Sequence, residues 1–353
     1  MIDMSENEMT QETKSIRKKV SVLIPCYNEK ENVVPMSEAI DNIFKTECTE
    51  YDYELLFIDN CSKDGTKELL RGIAEKNKNV KVIFNAKNFG QFNSPYYGIL
   101  QTTGECTISM CCDFQDPVEM IPRFLEEWEK GAKIVCAIKT TSKENKIMRF
   151  FRTCYYKMIK KMSEVEQIEH FTGFGLYDKS FVNVLRDLKD PTPFIRGIVA
   201  ELGFKRVDIP YEQQRRRAGK THNNFYSLYD AAMLSFTSYT KGGLRVATFL
   251  GFLFAIASMT IGLIYLILKL YYWDRFVAGM APILIAVCIF SSMQMFFIGF
   301  LGEYVMSINK RIMNRPLVIE EERLNFENDK ASKEKTEKEN ISDKNVSGEG
   351  NED

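Results

Sequence analysis

Short apolar runs alternate with amphipathic stretches over the first 140 of the 353 residues. The runs with the length and character of buried strands are residues 20–24, 53–58, 80–84, 106–112 and 134–138. Helical spacing and helix-start signals predict helices over residues 33–44, 64–76, 91–101 and 117–130. This alternation predicts a parallel, doubly wound α/β sheet, in which ligands bind at the carboxyl ends of the strands.

Two later runs are apolar all round and too long for strands. No Asp, Glu, Lys or Arg occurs from Val246 to Leu268 or from Phe276 to Leu301. Each run exceeds the roughly 20 apolar residues needed to cross a bilayer, so the pattern predicts transmembrane helices over 244–270 and 276–304. Basic residues before the first run and after the second predict that both termini are cytoplasmic.

Two amphipathic stretches add to the membrane prediction. Residues 146–162 surround an apolar face with Lys and Arg, which is typical of a helix that binds an anionic membrane surface. The alternative is an ordinary solvated helix packed on the core. Residues 223–240 carry a second apolar face and lead directly into the first span, which predicts a helix lying along the interface.

The polar ends of the chain lack the apolar residues needed for a core, so they are predicted to be disordered. The predicted division of the chain is a disordered tail 1–17, a cytoplasmic domain 18–222, an interfacial helix 223–241, transmembrane helices 244–270 and 276–304, a juxtamembrane segment 305–319 and a disordered charged tail 320–353.

Composition narrows the classes of function. The 47 basic and 48 acidic residues nearly cancel, so bulk charge indicates no nucleic-acid partner. Nine cysteines without a Cys-x-x-Cys pair and only two histidines argue against zinc or a disulfide framework. The polar first 19 residues predict no secretory signal peptide.

Polar clusters follow three of the predicted strands. Residues 24–29, Ile-Pro-Cys-Tyr-Asn-Glu, offer an aromatic face and polar groups for a base or ribose, although a simple turn with a helix cap has the same pattern. Asp59 ends the second strand and can accept a hydrogen bond from a base N–H or a ribose hydroxyl.

The third cluster places three oxygen-bearing side chains within four residues, at Asp113, Gln115 and Asp116. Oxygen ligands of this kind suit Mg²⁺ or Mn²⁺. In an extended chain, residues 113 and 115 point to the same side. Acids at strand ends also cap helices, so this cluster alone is weak evidence for a metal.

Together, the three clusters resemble those of family 2 glycosyltransferases. Residues 173–178, 216–221 and 302–304 are similar to the branch that acts on polyprenyl phosphates, which includes dolichyl-phosphate mannosyltransferase and the undecaprenyl-phosphate glucosyltransferases. The resemblance covers residues 18–319. It implies an A-type, Rossmann-like α/β glycosyltransferase domain followed by a two-helix transmembrane hairpin.

The resemblance also implies roles for particular residues. The nucleoside of the donor would be held by Pro25, Tyr27, Glu29 and Asp59. The divalent ion, Mg²⁺ or Mn²⁺, would be bound by Asp113 and Gln115. The acceptor phosphate and donor diphosphate would be contacted by Arg149 or Arg152 and by Arg216. The residues expected to carry catalysis are Asp113, Gln115, Arg216 and Asp116.

Three positions depart from the pattern of the family. Asn60 stands where a second acid is usual, and Cys111 stands where the first Asp of Asp-x-Asp is usual. Gly175 stands where an Arg is frequent. The first two departures bear on metal binding, and the third bears on the acceptor side.

The resulting hypothesis is inverting transfer of one sugar from a nucleotide-sugar, with UDP favoured, to a polyprenyl phosphate such as undecaprenyl phosphate. The reaction would take place at the cytoplasmic face of the cell membrane, on a multi-pass protein that contacts the lipid bilayer. A phosphate monoester has a second pKa near 6, so the acceptor needs no general base. The resemblance is also compatible with a homo-oligomer assembled through the hairpin.

Two alternatives stay open at this point. The first is transfer to a hydroxyl of another lipid, such as diacylglycerol, which would require a general base; Asp116 is the only obvious candidate. The same alternative includes polymer synthesis, but this usually involves a Gln-x-x-Arg-Trp motif, which this chain lacks. A non-catalytic membrane scaffold that keeps the fold is the other alternative, and Cys111 and Asn60 are its best support.

Overall fold

The structure is a computed structural model that describes residues 17–140, 168–218, 225–239, 242–272 and 280–326. The predicted basic helix 146–162, with Arg149 and Arg152, lies outside the described residues. The same is true of most of the two predicted tails, residues 1–16 and 327–353.

The described ranges form eight strands and nine α-helices. The strands are β1 (Lys19–Cys26), β2 (Asp52–Asp59), β3 (Val80–Asn85), β4 (Cys106–Ser109), β5 (Ile134–Lys139), β6 (Phe171–Asp178), β7 (Arg206–Tyr211) and β8 (Glu320–Leu324). The helices are α1 (Val33–Thr46), α2 (Thr66–Lys76), α3 (Gly90–Gln101), α4 (Ile121–Glu129), α5 (Lys179–Leu188), α6 (Ile195–Glu201), α7 (Phe225–Tyr239), α8 (Gly242–Tyr271) and α9 (Met280–Ile312).

All eight strands join one sheet in the order β7-β5-β6-β4-β1-β2-β3-β8. The predicted α/β class is confirmed, but the prediction of an all-parallel sheet is wrong. Strands β1 to β4 are mutually parallel, whereas β6 runs antiparallel to both β4 and β5, and β8 runs antiparallel to β3. The sheet is mixed because β6 lies between β4 and β5 and because β8 is added at the edge of β3.

The winding of the sheet reverses at β1. From β1 the chain proceeds outward through β2 and β3, and then returns to place β4 on the other side of β1. Apolar side chains cover both faces, since Val22 and Ile24 are buried on one side and Leu23 on the other. The carboxyl ends of β1 and β4 therefore border the crevice where ligands bind in open α/β sheets.

The predicted disordered tail begins too early. Residues Glu320–Leu324 form β8 and cover the edge of β3, where unpaired backbone groups would otherwise be exposed. Glu321 pairs with Lys67 at 2.6 Å, and Asn325 Nδ2 donates to the carbonyls of Ala74 and Val80, each at 2.7 Å. Composition indicated a solvated segment because it does not report this long-range pairing.

We expect truncation after Val318 to destabilise the α/β domain by about 2–4 kcal/mol, because it removes the β8 ladder and its ion pairs. Truncation after Phe326 keeps these contacts and is expected to leave the thermal midpoint unchanged. Thermal unfolding of the two purified proteins measures the difference. Equal midpoints would show that β8 contributes no stability.

The two long helices α8 and α9 contain 30 and 33 residues. Among the described residues, Val246–Tyr271 and Ile289–Ile312 are long and apolar enough to cross a membrane. Large apolar side chains on α8 face outward, with Phe249 67% and Met259 80% exposed. These helices have the dimensions expected for the predicted hairpin.

Helix α7 connects the α/β domain to the long helices. Phe236 of α7 packs against Phe300 and Tyr304 of α9, with ring centroids 6.0 and 6.4 Å apart. On the other side, the ring of Tyr239 rests where a side chain at Gly197 of α6 would lie, 2.2 Å from an ideal Cβ. Gly197 therefore permits the close approach of α7 to the domain.

Candidate active site

The loop after β1 is held by side chains from the loop after β2 and from the start of α2. The N–H groups of Asn28 and Glu29 donate to the hydroxyls of Ser62 and Thr66, at 2.8 and 2.9 Å. Asn28 has a φ of 56°, a conformation that Asn tolerates better than most residues. These bonds place the predicted nucleoside residues Pro25, Tyr27 and Glu29 at the crevice in half-buried positions.

Asp59, at the end of β2, has one carboxylate oxygen that is hydrogen-bonded and one that is unpaired among the described residues. Its side chain is fully buried, and Oδ2 accepts a hydrogen bond from the N–H of Ser62 at 3.0 Å. Oδ1 is buried and has no hydrogen-bond partner among the described residues. Burial raises the pKa of the Asp59 carboxyl. Because an unpaired buried acceptor costs about 1–3 kcal/mol, this oxygen is suited to accept a donor group from a ligand.

The turn after β4 is not the extended chain that the sequence predicted. β4 ends at Ser109, and Phe114 has a φ of 59°. Asp113 Oδ1 accepts from the N–H of Gln115 at 3.1 Å, which is an Asx turn. Asp113 itself is only 5% exposed.

Arg216 reaches this turn from a segment about one hundred residues further along the chain. The N–H groups of Gln214 and Arg217 donate to the carbonyls of Gln115 and Asp113, at 3.3 and 3.2 Å. Docked in this way, Arg216 forms an ion pair with Asp113 Oδ2 at 2.9 Å. The structure therefore brings together two residues that the sequence predicted only separately.

Glu29, in the loop after β1, interacts electrostatically with Asp113 in the turn after β4. Burial raises the pKa of the Glu29 carboxyl, a hydrogen bond from Asn32 opposes the rise, and the Asp113 carboxylate adds to it. The Asn32 Nδ2 to Glu29 Oε2 distance is 2.6 Å. The carboxyl ends of β1 and β4 thus form one continuous acidic site that includes Arg216.

Asp113 and Gln115 supply two oxygen-bearing side chains for a divalent ion. No group of three or more His, Cys, Asp or Glu side chains within the described ranges could hold a metal by itself. Mg²⁺ is commonly bound by one or two carboxylates together with substrate phosphates. The residues present therefore fit an ion whose coordination is completed by a diphosphate. Cys111 is exposed, and its thiol is a softer ligand than the carboxylate that it replaces.

Asp116 is placed differently from the other predicted catalytic residues. It is 2% exposed, and its two carboxylate oxygens accept hydrogen bonds from the N–H of Cys111 at 2.9 Å and the hydroxyl of Tyr211 at 3.1 Å. Burial raises the pKa of the Asp116 carboxyl. This geometry ties the β4 turn to β7 and leaves Asp116 badly placed to take a proton from a substrate.

Gly175 lies in the centre of the sheet, between β4 and β5. An ideal Cβ at this position would lie 2.1 Å from the carbonyl oxygen of Val135. A side chain here would push the two strands apart. The departure at Gly175 thus follows from the close approach of β5 and β6.

We expect Gly175→Ala to destabilise the domain by about 3 kcal/mol or more, because the clash is with backbone in a packed sheet. Gly72→Ala is the matched control, since Gly72 lies within α2 and a Cβ there would meet nothing within 4 Å. That change should stabilise α2 by about 0.5–1 kcal/mol. Thermal unfolding distinguishes them, and equal midpoints would contradict the packing argument.

Two residues at the site were missed by the sequence analysis. Tyr211 supports Asp116, and the guanidinium of Arg217 lies 5.2 Å from the ring centroid of Phe114. The three consecutive arginines Arg215–Arg217 are visible in the sequence as a basic cluster. Nothing in the sequence around Tyr211 indicates its role, because its partner Asp116 is 95 residues away. Arg149 and Arg152, predicted for the acceptor phosphate, lie outside the described residues.

Residues 21–185 match the family model described as Glycosyl transferase family 2. The chain therefore carries a family 2 glycosyltransferase domain and is a glycosyltransferase, which confirms the predicted family. The matched segment runs from β1 into α5 and contains Asp59, Asp113 and Gln115. Arg216 lies outside it.

Curated relatives cover most of the chain. The uncharacterized glycosyltransferase YkcC of Bacillus subtilis (strain 168) is 28% identical over 87% of this chain and 95% of that protein. The prophage bactoprenol glucosyl transferase homolog of Escherichia coli (strain K12) is 29% identical over 81% of this chain and 93% of that protein. The SfII prophage-derived bactoprenol glucosyl transferase of Shigella flexneri is 29% identical over 85% of this chain and 97% of that protein.

Among solved structures, the glucosyl-3-phosphoglycerate synthase from Mycobacterium tuberculosis in complex with Mn²⁺, UDP-glucose and phosphoglyceric acid is 14% identical, with a TM-score of 0.43. The match covers 62% of this chain and 79% of that chain. This similarity is too low to support an inference about ligands.

Proposed function

We propose that the protein moves one sugar from a nucleotide-sugar to a polyprenyl phosphate, with inversion at the anomeric carbon. The observation that carries the proposal is the Asp113–Arg216 ion pair at the crevice between β1 and β4. It is joined by Asp59 at the end of β2, whose buried Oδ1 has no hydrogen-bond partner among the described residues. Relatives named bactoprenol glucosyl transferases support a polyprenyl acceptor.

The donor nucleoside would lie against the carboxyl ends of β1 and β2. Pro25 and Tyr27 would contact the base or ribose, and Asp59 Oδ1 would accept a hydrogen bond from a ring N–H. Uracil and guanine both present such a group. We favour a UDP-linked sugar.

The donor diphosphate would lie over the β4 turn. Asp113 and Gln115 would hold Mg²⁺ or Mn²⁺, and the bound ion would neutralise charge on the departing diphosphate. Arg216 is held at 2.9 Å from Asp113 and would contribute a second positive charge to the same oxygens. Fixed charges of this kind act where negative charge develops during the reaction.

In the reaction, an oxygen of the lipid phosphate attacks the anomeric carbon and forms a new C–O bond. The C–O bond to the nucleoside diphosphate breaks, and its electron pair leaves with the diphosphate. A phosphate monoester is mostly a dianion at pH 7, because its second pKa is near 6. A hydroxyl acceptor would need a base, and the buried, doubly hydrogen-bonded Asp116 argues against that alternative.

The acceptor has to meet the site at the surface of a membrane. We propose that α8 and α9 cross the cell membrane as a hairpin, with both termini in the cytoplasm and α7 along the interface. Arg311 near the end of α9 pairs with Asp190 of the α/β domain at 3.1 Å. This contact would hold the crevice near the headgroups. Arg149 and Arg152, in the basic segment 146–162, would contact the acceptor phosphate.

The donor assignment is tested with membranes containing the protein, undecaprenyl phosphate and a panel of UDP- and GDP-sugars. Mass spectrometry should detect lipid phosphate plus one sugar with a UDP-sugar, dependent on Mg²⁺ or Mn²⁺ and abolished by a chelator. Product from GDP-sugars alone would contradict the UDP assignment. Product formed equally well in the presence of the chelator would contradict the role of the metal.

A further inference from the structure

Asn60 uses all of its side-chain hydrogen-bonding capacity on the loop between β3 and α3. Its Nδ2 donates to Asn88 Oδ1 at 2.9 Å and to the carbonyl of Gly90 at 3.3 Å. Its Oδ1 accepts from Asn85 Nδ2 at 3.1 Å and from the N–H of Phe89 at 2.8 Å. An Asn side chain has two donors and one acceptor oxygen with two lone pairs, so the amide is saturated.

The surroundings define the orientation of this amide. The N–H of Phe89 can only donate, and the carbonyl of Gly90 can only accept. Asn60 is 7% exposed, and its own N–H donates to the carbonyl of Cys26 at 2.9 Å. One residue thus joins the end of β1 to the loop of residues 86–90.

The same loop borders the proposed nucleoside site. Asp59 is the register partner of Phe84 in β3, so the chain that leaves β3 begins next to Asp59. At the β3 end of the loop, the N–H of Ala86 donates to the carbonyl of Ile319 at 2.9 Å, whereas Asn60 holds residues 88–90. The loop is therefore fixed from two sides.

We infer that Asn60 is a positioning residue, which holds loop 86–90 as a wall of the donor pocket so that nucleotide affinity depends on its amide. This inference rests on the proposed function, because it takes Asp59 as part of the donor site. Asn60 acts through the loop and does not itself contact the reacting atoms.

A carboxylate of the same shape cannot replace the amide. In Asn60→Asp, two donated bonds are lost, and a negative oxygen faces the carbonyl of Gly90. Asn88 cannot compensate by rotating its amide, because its Oδ1 also accepts from the N–H of Gly90 at 2.8 Å. The added charge would also lie next to Asp59.

The test is titration of the purified full-length protein with UDP and Mn²⁺ by calorimetry, followed by donor kinetics. We expect Asn60→Asp to weaken UDP binding and raise the KM for the donor by about tenfold. The kcat at saturating donor and the KM for the lipid phosphate should stay close to the wild-type values. A purely structural defect would instead lower the active fraction and leave the KM unchanged.

Asn42→Asp is the matched control, because Asn42 is exposed on α1 and the change adds the same charge. It should bind UDP with wild-type affinity. If Asn60→Asp does not fold, Asn88→Ala removes one partner without adding charge and should still weaken binding. Wild-type affinity in a folded Asn60→Asp, or in Asn88→Ala in that event, would overturn the inference. A wild-type protein that binds neither UDP nor GDP would instead refute the donor site itself.

Discussion

Replacement of Asp113 by Asn is expected to abolish sugar transfer, with a loss of at least about a thousandfold, or about 4 kcal/mol in the activation free energy. The amide keeps the shape of the side chain but removes the only carboxylate of the proposed metal pair. It also leaves Arg216 without the charge that holds it at 2.9 Å. Transfer to undecaprenyl phosphate, followed by mass spectrometry, measures the loss.

Asp52→Asn is the matched control for this prediction. Asp52 is exposed at the start of β2, at the opposite end of the strand from the crevice. The control variant should keep wild-type transfer, and both variants should enter the membrane fraction to the same extent. Wild-type turnover in Asp113→Asn would remove Asp113 from the mechanism.

Replacement of Arg216 by Ala is expected to lower kcat by about 10²–10³, because it removes a fixed positive charge from the position of the departing diphosphate. Arg216→Lys should recover only part of the activity, since a Lys lacks the planar fork of the guanidinium. Arg206→Ala, at an exposed position on β7, is the control and should keep its activity. Equal kcat in Arg216→Ala and Arg206→Ala would contradict the role of Arg216.

The two residues should also be coupled energetically. Asp113 and Arg216 act on the same diphosphate and contact each other, so the double variant is expected to lose less than the sum of the two single losses. Simple additivity of the two losses would indicate that the ion pair has no part in the transition state.

The sequence predicts the part of the fold that depends on local pattern. β1 to β4 and α1 to α4 carry their own periodicity, and polar residues at the ends of buried strands identify Asp59 and Asp113. Parallel strands end at the same edge of a sheet, so these residues could be expected to lie together. Composition likewise identified both long apolar helices.

The parts that were missed depend on pairing between distant segments. The antiparallel course of β6 and the pairing of β8 with β3 have no local signature, because a strand of either direction shows the same alternation. The polar sequence of β8 has the composition of a disordered tail, and only the exposed edge of β3 makes it a strand.

Side-chain roles were missed for a related reason. Asn60 was first interpreted as a departure from an acidic position, whereas its amide organises a loop that begins 26 residues later. Asp116 was predicted to be catalytic as part of the oxygen-bearing cluster at residues 113–116 and as the only obvious general base, yet it is buried against Tyr211. In both residues, the partners decide the role, and sequence alone does not supply them.

The most direct test of the account compares two acceptors that differ only in the phosphate. Membranes containing the protein are incubated with the nucleotide-sugar that gives product in the donor panel and with either undecaprenyl phosphate or undecaprenol. The lipid products are then identified by mass spectrometry. We expect lipid phosphate plus one sugar, formed with release of one equivalent of nucleoside diphosphate, and no product from the alcohol. Glycosylated undecaprenol, or equal transfer to diacylglycerol, would contradict the phosphate acceptor.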